Sequence, residues 1–310
     1  MVSYEGFQAE RDDMMNGEAA YMRSLEAASR MLSCLPESQV PYVPHPGDLA
    51  WWADYLNLES DPVYLRVSPV LEGGEYVGWK YVSPEDGTVD VFLPEGYDSK
   101  RIFEYEQGVR KVFGSGASKA ILTWICERDR ELLFWAEKSG FVRAPGYLLM
   151  LKDLRAGISA EFPQSTRARL VSLPADLRAR ALLQKSAFES SRSDESYIAR
   201  FEAFTKRPGF ALALDVVLED DSGIVAFARV WLDDRSKVCL LEPVGVRGSR
   251  RGRGYGKAVC SYALSLACER GMTSARVVPE VMEEPAVRLY ASLGFRAVYE
   301  IPTLVKANPL

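Results

Sequence analysis

The sequence predicts an α/β (α+β) protein in which one module is used twice. Three observations carry this. The chain has 310 residues, where single domains usually run to about 100–150. Strand-like and helix-like segments alternate on both sides of a polar stretch, RAGISAEFPQSTR (155–167), that reads as a linker. The halves also end alike. WAEKSGFVRAPGYLLMLK (135–152) and LYASLGFRAVYEIPTLVK (289–306) each run eleven positions from a Phe after glycine to a closing Lys, Phe141 to Lys152 and Phe295 to Lys306. The implied division is 1–155 and 156–310.

In the first half, residues 9–34 place Met22, Leu25, Ala28, Met31 and Leu32 at helical spacing, and PESQVPYVPHPGD breaks the helix. VYLRVSPVL (63–71), EYVGWKYVS (75–83) and TVDVFLPE (88–95) read as strands. A helix over 99–113 is stopped by GSGAS. AILTWI (120–125) is a short buried strand, RELLFWAEKSG (130–140) a helix ending on glycine, and YLLMLKDL (147–154) a strand. In the second half, 173–188 and 195–206 are helical, and 210–220, 223–233 and 237–246 are strands. A helix over 257–271, a strand over 274–282, a helix over 284–295 and strand material over 296–306 complete the chain.

Composition is that of an ordinary soluble protein, 47% hydrophobic and 26% charged. A net charge of −5 argues against nucleic-acid binding by bulk electrostatics. The five cysteines are odd in number and form no CxxC, so neither a disulfide framework nor a zinc site is expected. They read as small buried hydrophobes of a reducing compartment. The N-terminus has no apolar signal core and no membrane-length apolar run occurs, which predicts a cytoplasmic protein. The single histidine, His45 in PYVPHPGD, excludes most triad and metal chemistry. It reads as a loop residue in a proline-rich turn rather than a catalyst. Acid–base chemistry falls to Glu, Asp, Tyr or water, with no metal.

The stretch Gly245–Val259, GVRGSRRGRGYGKAV, holds five basic residues and five glycines between a strand and a helix. That placement aims helix N–H groups at phosphate, and glycine lets backbone approach it. The segment is not a Walker loop, because Arg251 stands where the first glycine belongs and Ala258 follows Lys257. Nor is it GxGxxG, since its glycines fall at 252, 254 and 256. It is RxxGxG: Arg251, Gly254, Gly256. RNA binding is the rival reading, but arginine–glycine RNA segments are long and repetitive.

RxxGxG before a helix, followed by PAVRLYASLGF (285–295), resembles the GCN5-related N-acetyltransferase (GNAT) superfamily, with its Q/R-x-x-G-x-G/A and A-x-x-L-Y-x-x-x-G-F signatures. The resemblance covers about 167–306 and implies two tandem GNAT-like modules, each a mixed, mostly antiparallel sheet flanked by helices. It implies acetyl-CoA as cosubstrate, its pyrophosphate held by the backbone of Arg251, Gly252, Arg253, Gly254, Tyr255, Gly256 and Lys257. Val244, Gly245 and Val246 would border the pantetheine arm, with a strand N–H near Val244 polarising the acetyl carbonyl. Acetyl would pass directly to an amine, without a covalent enzyme intermediate. Tyr290 would protonate the departing thiolate, or else serve as a core aromatic. Glu242 is the candidate base, or a partner of nearby arginines. Glu283 stands where the superfamily often has Asn. The acceptor, a small-molecule or peptide amine, is open, and a homodimer through exposed strand ends is possible. An acetyl-CoA sensor without catalysis is the alternative.

The first half lacks RxxGxG over 93–109 and has Ala136 where the second has Tyr290. It reads as a degenerate module supplying structure and acceptor contacts. Trp51 and Trp52 read as core, with an acceptor cleft as the alternative. Cys260 reads as packing rather than a reactive thiol.

Overall fold

The computed structural model describes residues 18–33, 44–52, 67–93, 97–125 and 129–308. The first half contains α1 (Glu18–Ser33), α2 (Pro46–Trp51), β1 (Val67–Glu72), β2 (Glu75–Ser83), β3 (Thr88–Phe92), α3 (Asp98–Gly114), β4 (Lys119–Leu122), α4 (Arg130–Lys138) and β5 (Val142–Asp153). The second contains β6 (Arg167–Leu170), α5 (Leu177–Ala187), α6 (Asp194–Thr205), β7 (Ala213–Asp220), β8 (Gly223–Asp233), β9 (Val238–Val246), α7 (Tyr255–Glu269), β10 (Ser274–Val277), α8 (Glu284–Ser292) and β11 (Arg296–Ala307).

Several boundaries differ from expectation for identifiable reasons. The strand expected over 120–125 stops at Leu122, because Trp124 takes φ +63 and leaves the ladder. The strand expected from 147 begins at Val142. Its Pro145 and Gly146 look like turn residues, but Gly146 is needed where strands crowd: a Cβ there would lie 2.0 Å from the Ile301 carbonyl oxygen. The strand expected from 210 begins at Ala213, after a 3₁₀ turn over Pro208–Leu212. β6 falls partly within the stretch read as linker. The remaining expectations for 9–17, 34, 63–66 and 94–95 lie outside the described residues.

The eleven strands form one sheet in the order β1-β2-β3-β4-β11-β5-β10-β9-β8-β7-β6. β3/β4 and β9/β10 are parallel neighbours, and the other pairings are antiparallel. The halves exchange their last strands. β11 lies between β4 and β5, and β5 lies between β11 and β10. The division 1–155 and 156–310 remains a proposal about the chain, and the sheet runs through both parts.

Alternation sorts side chains between the two faces. On β9, Cys239 and Leu241 join the core under α7 and α8, which supply Val259, Ala263, Leu264 and Tyr290. On β3, Val89 and Val91 join the core under α3 and α4, with Tyr105, Val112 and Leu133. Leu240 and Phe92 face the other way, into a core shared by the halves that also holds Ala28, Leu49, Trp51, Trp124, Phe204 and Trp231.

His45 lies outside regular structure, just before α2, and is fully buried. Its Nδ1 accepts the Gly47 N–H at 2.9 Å, while its own backbone N–H donates to the Asp48 carboxylate at 2.8 Å, a reciprocal cap that starts α2. That leaves the proton on Nε2, 3.1 Å from the Val238 carbonyl on β9. A Cβ on Gly47 would lie 2.4 Å from the Trp231 side chain, so α2 sits directly on β8. Burial, then Arg276, lowers the His45 pKa to about 4. The folded value is below the ordinary 6.5, so its contribution to stability is present above pH 6.5 and lost as pH falls toward 4. His45→Ala is expected to lose about 1–3 kcal/mol at pH 7. Urea unfolding at pH 7 and 5 checks this, since the variant's acid loss should be shallower than the wild type's.

Candidate active site

The site begins where two neighbouring strands part. β10 pairs with β9 only at Val238, Cys239 and Leu240. The segment after β10 then follows β5: the Leu148 N–H donates to the Pro279 carbonyl at 2.9 Å, and the Val281 N–H to the Gly146 carbonyl at 2.8 Å. β9 stays with β8 out to Val246, opposite Ala226. A wedge therefore opens between residues 241–246 and 278–281.

A bulge sits at the mouth of the wedge. β8 pairs Val230 with Leu241 and then Ala228 with Val244, so Glu242 and Pro243 together stand opposite Arg229. Bulges re-aim side chains and recur beside active sites. The Trp231 indole donates to the Glu242 carbonyl at 2.6 Å and fixes the backbone there. Gly245 is required by space, since a Cβ would lie 2.4 Å from the Phe227 ring and 2.8 Å from the Ala187 Cβ. Val244 and Val246 flank it, half-buried.

The basic loop follows. Arg247 donates to the Ile224 carbonyl at 2.8 Å, Arg250 pairs with Asp220 at 2.7 Å, and Arg251 donates to the Ala187 carbonyl at 2.9 Å. Arg253 and Lys257 are exposed and make no ion pair among the described residues. Gly254, at φ +82, is the N-cap of α7 and carries no side-chain cap, and the first turn holds no acid. The first helical bond runs from the Ala258 N–H to the Gly254 carbonyl. The N–H groups of Tyr255, Gly256 and Lys257 are thus left for an anion at the positive end of the helix. The Tyr255 side chain is buried in the core, so only its backbone can serve. Gly256 backs onto Leu289, where a Cβ would come within 3.3 Å.

Glu242 stands close enough to Tyr290 to influence its titration. Glu242 is half-buried as a residue, but its carboxyl is desolvated. Desolvation, with Asp48 adding to it and Arg276 opposing it, raises its pKa to about 8. Tyr290, on α8, is buried and packs edge-on to Phe295 at 5.8 Å. Desolvation, then Cys260 and Glu242, holds its phenol well above the usual range, so it is protonated at neutral pH. Its hydroxyl makes no hydrogen bond among the described residues. Cys260 is buried and its thiol is also pushed up, which leaves no thiolate to react. Glu283 is exposed at the start of α8 and caps nothing.

The two tryptophans differ in burial, and both pack on the shared core. Trp51 is core, edge-on to Phe204 at 5.5 Å. Trp52 is half-buried and joins an aromatic group: 5.7 Å from Trp124 and 6.0 Å from Phe92, with Trp124 stacked on Tyr147 at 5.0 Å. Sequence reasoning missed Asp48, Arg276, Asp90 and Tyr147. The charged ones are buried at 3% exposure or less. A charge inside a strand or a short turn is the signal that could have found them, but their surroundings are set by packing between positions far apart in the chain.

Residues 178–295 match the model of the acetyltransferase (GNAT) family. No curated protein sequence matches the chain. Among solved structures, it is similar to a tandem GNAT protein from the clavulanic acid biosynthesis pathway, at 14% identity and TM-score 0.66, covering 95% of this chain and 97% of that one. It is also similar to a GCN5-related N-acetyltransferase from Sphaerobacter thermophilus, at 17% identity and TM-score 0.60, covering 91% of both chains. A third likeness is to a GCN5-related N-acetyltransferase from Kribbella flavida, at 20% identity and TM-score 0.53, covering 79% of this chain and 91% of that one. At these identities the likenesses establish the fold.

Proposed function

We propose that this chain, whose residues 178–295 form a GNAT acetyltransferase domain within a tandem fold, is an acetyl-CoA-dependent N-acetyltransferase whose C-terminal half transfers acetyl to an amine. One observation carries the reading: the uncapped N-terminus of α7 follows the wedge whose mouth holds the bulge at Glu242.

The residues present fit the cosubstrate. The N–H groups of Tyr255, Gly256 and Lys257 and the side chains of Arg253 and Lys257 would hold its phosphates, and the edge of β9 at Val244 and Val246 would pair with the pantetheine arm. Acetyl-CoA supplies an activated acyl thioester. A strand N–H near Val244 polarises its carbonyl. Glu242 takes the proton from the attacking amine, directly or through water, and its raised pKa suits a base working near pH 8. Tyr290 keeps its proton for the departing sulfur. The acceptor is a small-molecule or peptide amine.

Among the described residues, the N-terminal half shows no such cradle. Residues 93–97 join β3 to α3, where 247–254 join β9 to α7. Asp98 stands in the first turn of α3, where it would repel a phosphate. Ala136 offers no acid. RNA binding is disfavoured because Arg247, Arg250 and Arg251 are engaged within the fold. Among the described residues, no helix is long and apolar enough to cross a membrane, and no group of side chains suits a metal.

Calorimetric titration with acetyl-CoA tests the reading, beside Gly254→Glu. The variant places a carboxylate at the phosphate cradle and a side chain at φ +82. One site per chain in the micromolar range, weakened about 100-fold or more in the variant, is expected. No binding by the wild type would end the acetyltransferase reading, and two sites per chain would show that the N-terminal half also binds.

A further inference from the structure

The strand exchange makes β3 and β4 a copy of β9 and β10. Leu122 on β4 lies opposite Leu304 on β11, as Val277 on β10 lies opposite Met150 on β5. Val89 is level with Leu122, and Leu241 follows the pairing of Leu240 with Arg276 to stand level with Val277. The next residues are Asp90 in one copy and Glu242 in the other. The N-terminal half has therefore lost its phosphate cradle but kept an acid at the position of the proposed base.

That acid is not idle packing. Asp90 is 3% exposed, yet no Lys or Arg pairs with it among the described residues. It accepts from the Thr123 N–H at 3.0 Å, from the Thr123 hydroxyl and from the Trp124 side chain. Burial pushes it up to about 8, as it does Glu242. At neutral pH it is therefore mostly protonated, and an arriving cation would favour its ionised form.

What surrounds Asp90 suits such a cation. Trp124 is held at φ +63, a strained conformation for a tryptophan and one that collects at ligand clamps. Its ring lies between Trp52 and Tyr147, at 5.7 and 5.0 Å. Trp79, cross-strand from Phe92, is 3% exposed, and its indole N–H has no partner among the described residues. Tyr147 pairs across the strands with Glu280 at the wedge, and it feels Glu280, Asp90 and Glu242 together. The aromatic group thus connects the leftover acid of one half to the base of the other.

We propose that Asp90, walled by Trp52, Trp124 and Tyr147, is an anchoring subsite for a second, non-reacting ammonium or quaternary ammonium group of the amine acceptor. The carboxylate supplies the counter-charge and the ring faces supply cation–π attraction. The inference rests on the acetyltransferase reading and specifies its substrate class: an amine that carries another cationic group.

Binding to the full chain without acetyl-CoA tests it, read by tryptophan fluorescence and calorimetry. The probes are choline beside its neutral carbon isostere 3,3-dimethylbutan-1-ol, and butylammonium beside butan-1-ol. At least one cation should bind about tenfold or more tightly than its neutral partner, a preference lost in Asp90→Asn and in Trp52→Leu. Acetyl-CoA titration of both variants should be unchanged. Trp52 is half-buried, so its variant keeps the test open if Asp90→Asn does not fold. Equal binding of cations and neutral isosteres, or a preference that survives both substitutions, overturns the proposal while acetyl-CoA binding leaves the transferase reading standing. Cation binding in a chain that ignores acetyl-CoA would keep the Asp90 site and remove the transferase around it, and with it the acceptor role.

Discussion

Glu242→Gln is expected to lower acetyl transfer about 10²- to 10⁴-fold while acetyl-CoA still binds. Only the deprotonated carboxyl can accept the amine's proton, so the wild-type rate should rise with pH, be half-maximal near pH 8 and level off above it. The variant should lack that limb. Stability should move the other way. The folded pKa lies above the ordinary 4.5, so Glu242 favours folding at low pH and that contribution is lost as pH rises through about 8. Glutamine carries no such penalty, and the variant should unfold at least as late as the wild type at pH 8. Thiol release from acetyl-CoA across pH, with an amine panel, measures the first effect, and thermal unfolding the second. Acetyl-CoA binding with no turnover by the wild type would favour a sensor over an enzyme.

Asp215→Asn should be among the most destabilising single changes, about 3–5 kcal/mol. Asp215 on β7 lies between two buried guanidinium groups, 2.9 Å from Arg180 on α5 and 3.3 Å from Arg229 on β8. Arg180 lies 3.7 Å over the Phe227 ring, and Arg229 4.0 Å over Phe210. The rings hold both cations in place but cannot replace the lost charge. Arg288→Ala, which breaks the exposed pair with Glu284, is the control and should cost less than about 1 kcal/mol. The shift in urea midpoint measures both. Equal shifts would show that the buried triad carries no special weight.

Sequence patterning located much of the chain because local chemistry decides it there. Gly254 and Gly256 mark a turn that needs backbone without side chains, and the apolar period of 257–271 carries α7 after it. The ten named cofactor residues lie on β9, in the loop after it or at the start of α7, and the Tyr255 side chain and the Arg251 guanidinium are engaged within the fold. The failures are non-local. The start of β5 at Val142 is not visible in VRAPG, because nothing there shows that Ile301 will press against it. The burial of His45 is not visible in PYVPHPGD, because its partner Val238 lies almost two hundred positions away. Asp90 looked like an ordinary polar position of an alternating strand, and only the shared sheet gives it aromatic neighbours.

The exchange of last strands also sets the order of events at the ribosome. β11 is made after everything it joins, yet β4 and β5 have it as their common neighbour. The N-terminal half must emerge with a vacant slot in its sheet and two unpaired strand edges, and it waits there through the synthesis of more than a hundred residues. Such pairing between distant positions folds slowly, and open edges invite other chains. Nascent chains halted just before β11 should therefore be the species that chaperones hold and proteases cut. The finished protein should behave in the opposite way: a nick in the connector near 155 should leave the two pieces locked together, each retained by the strand it has lent.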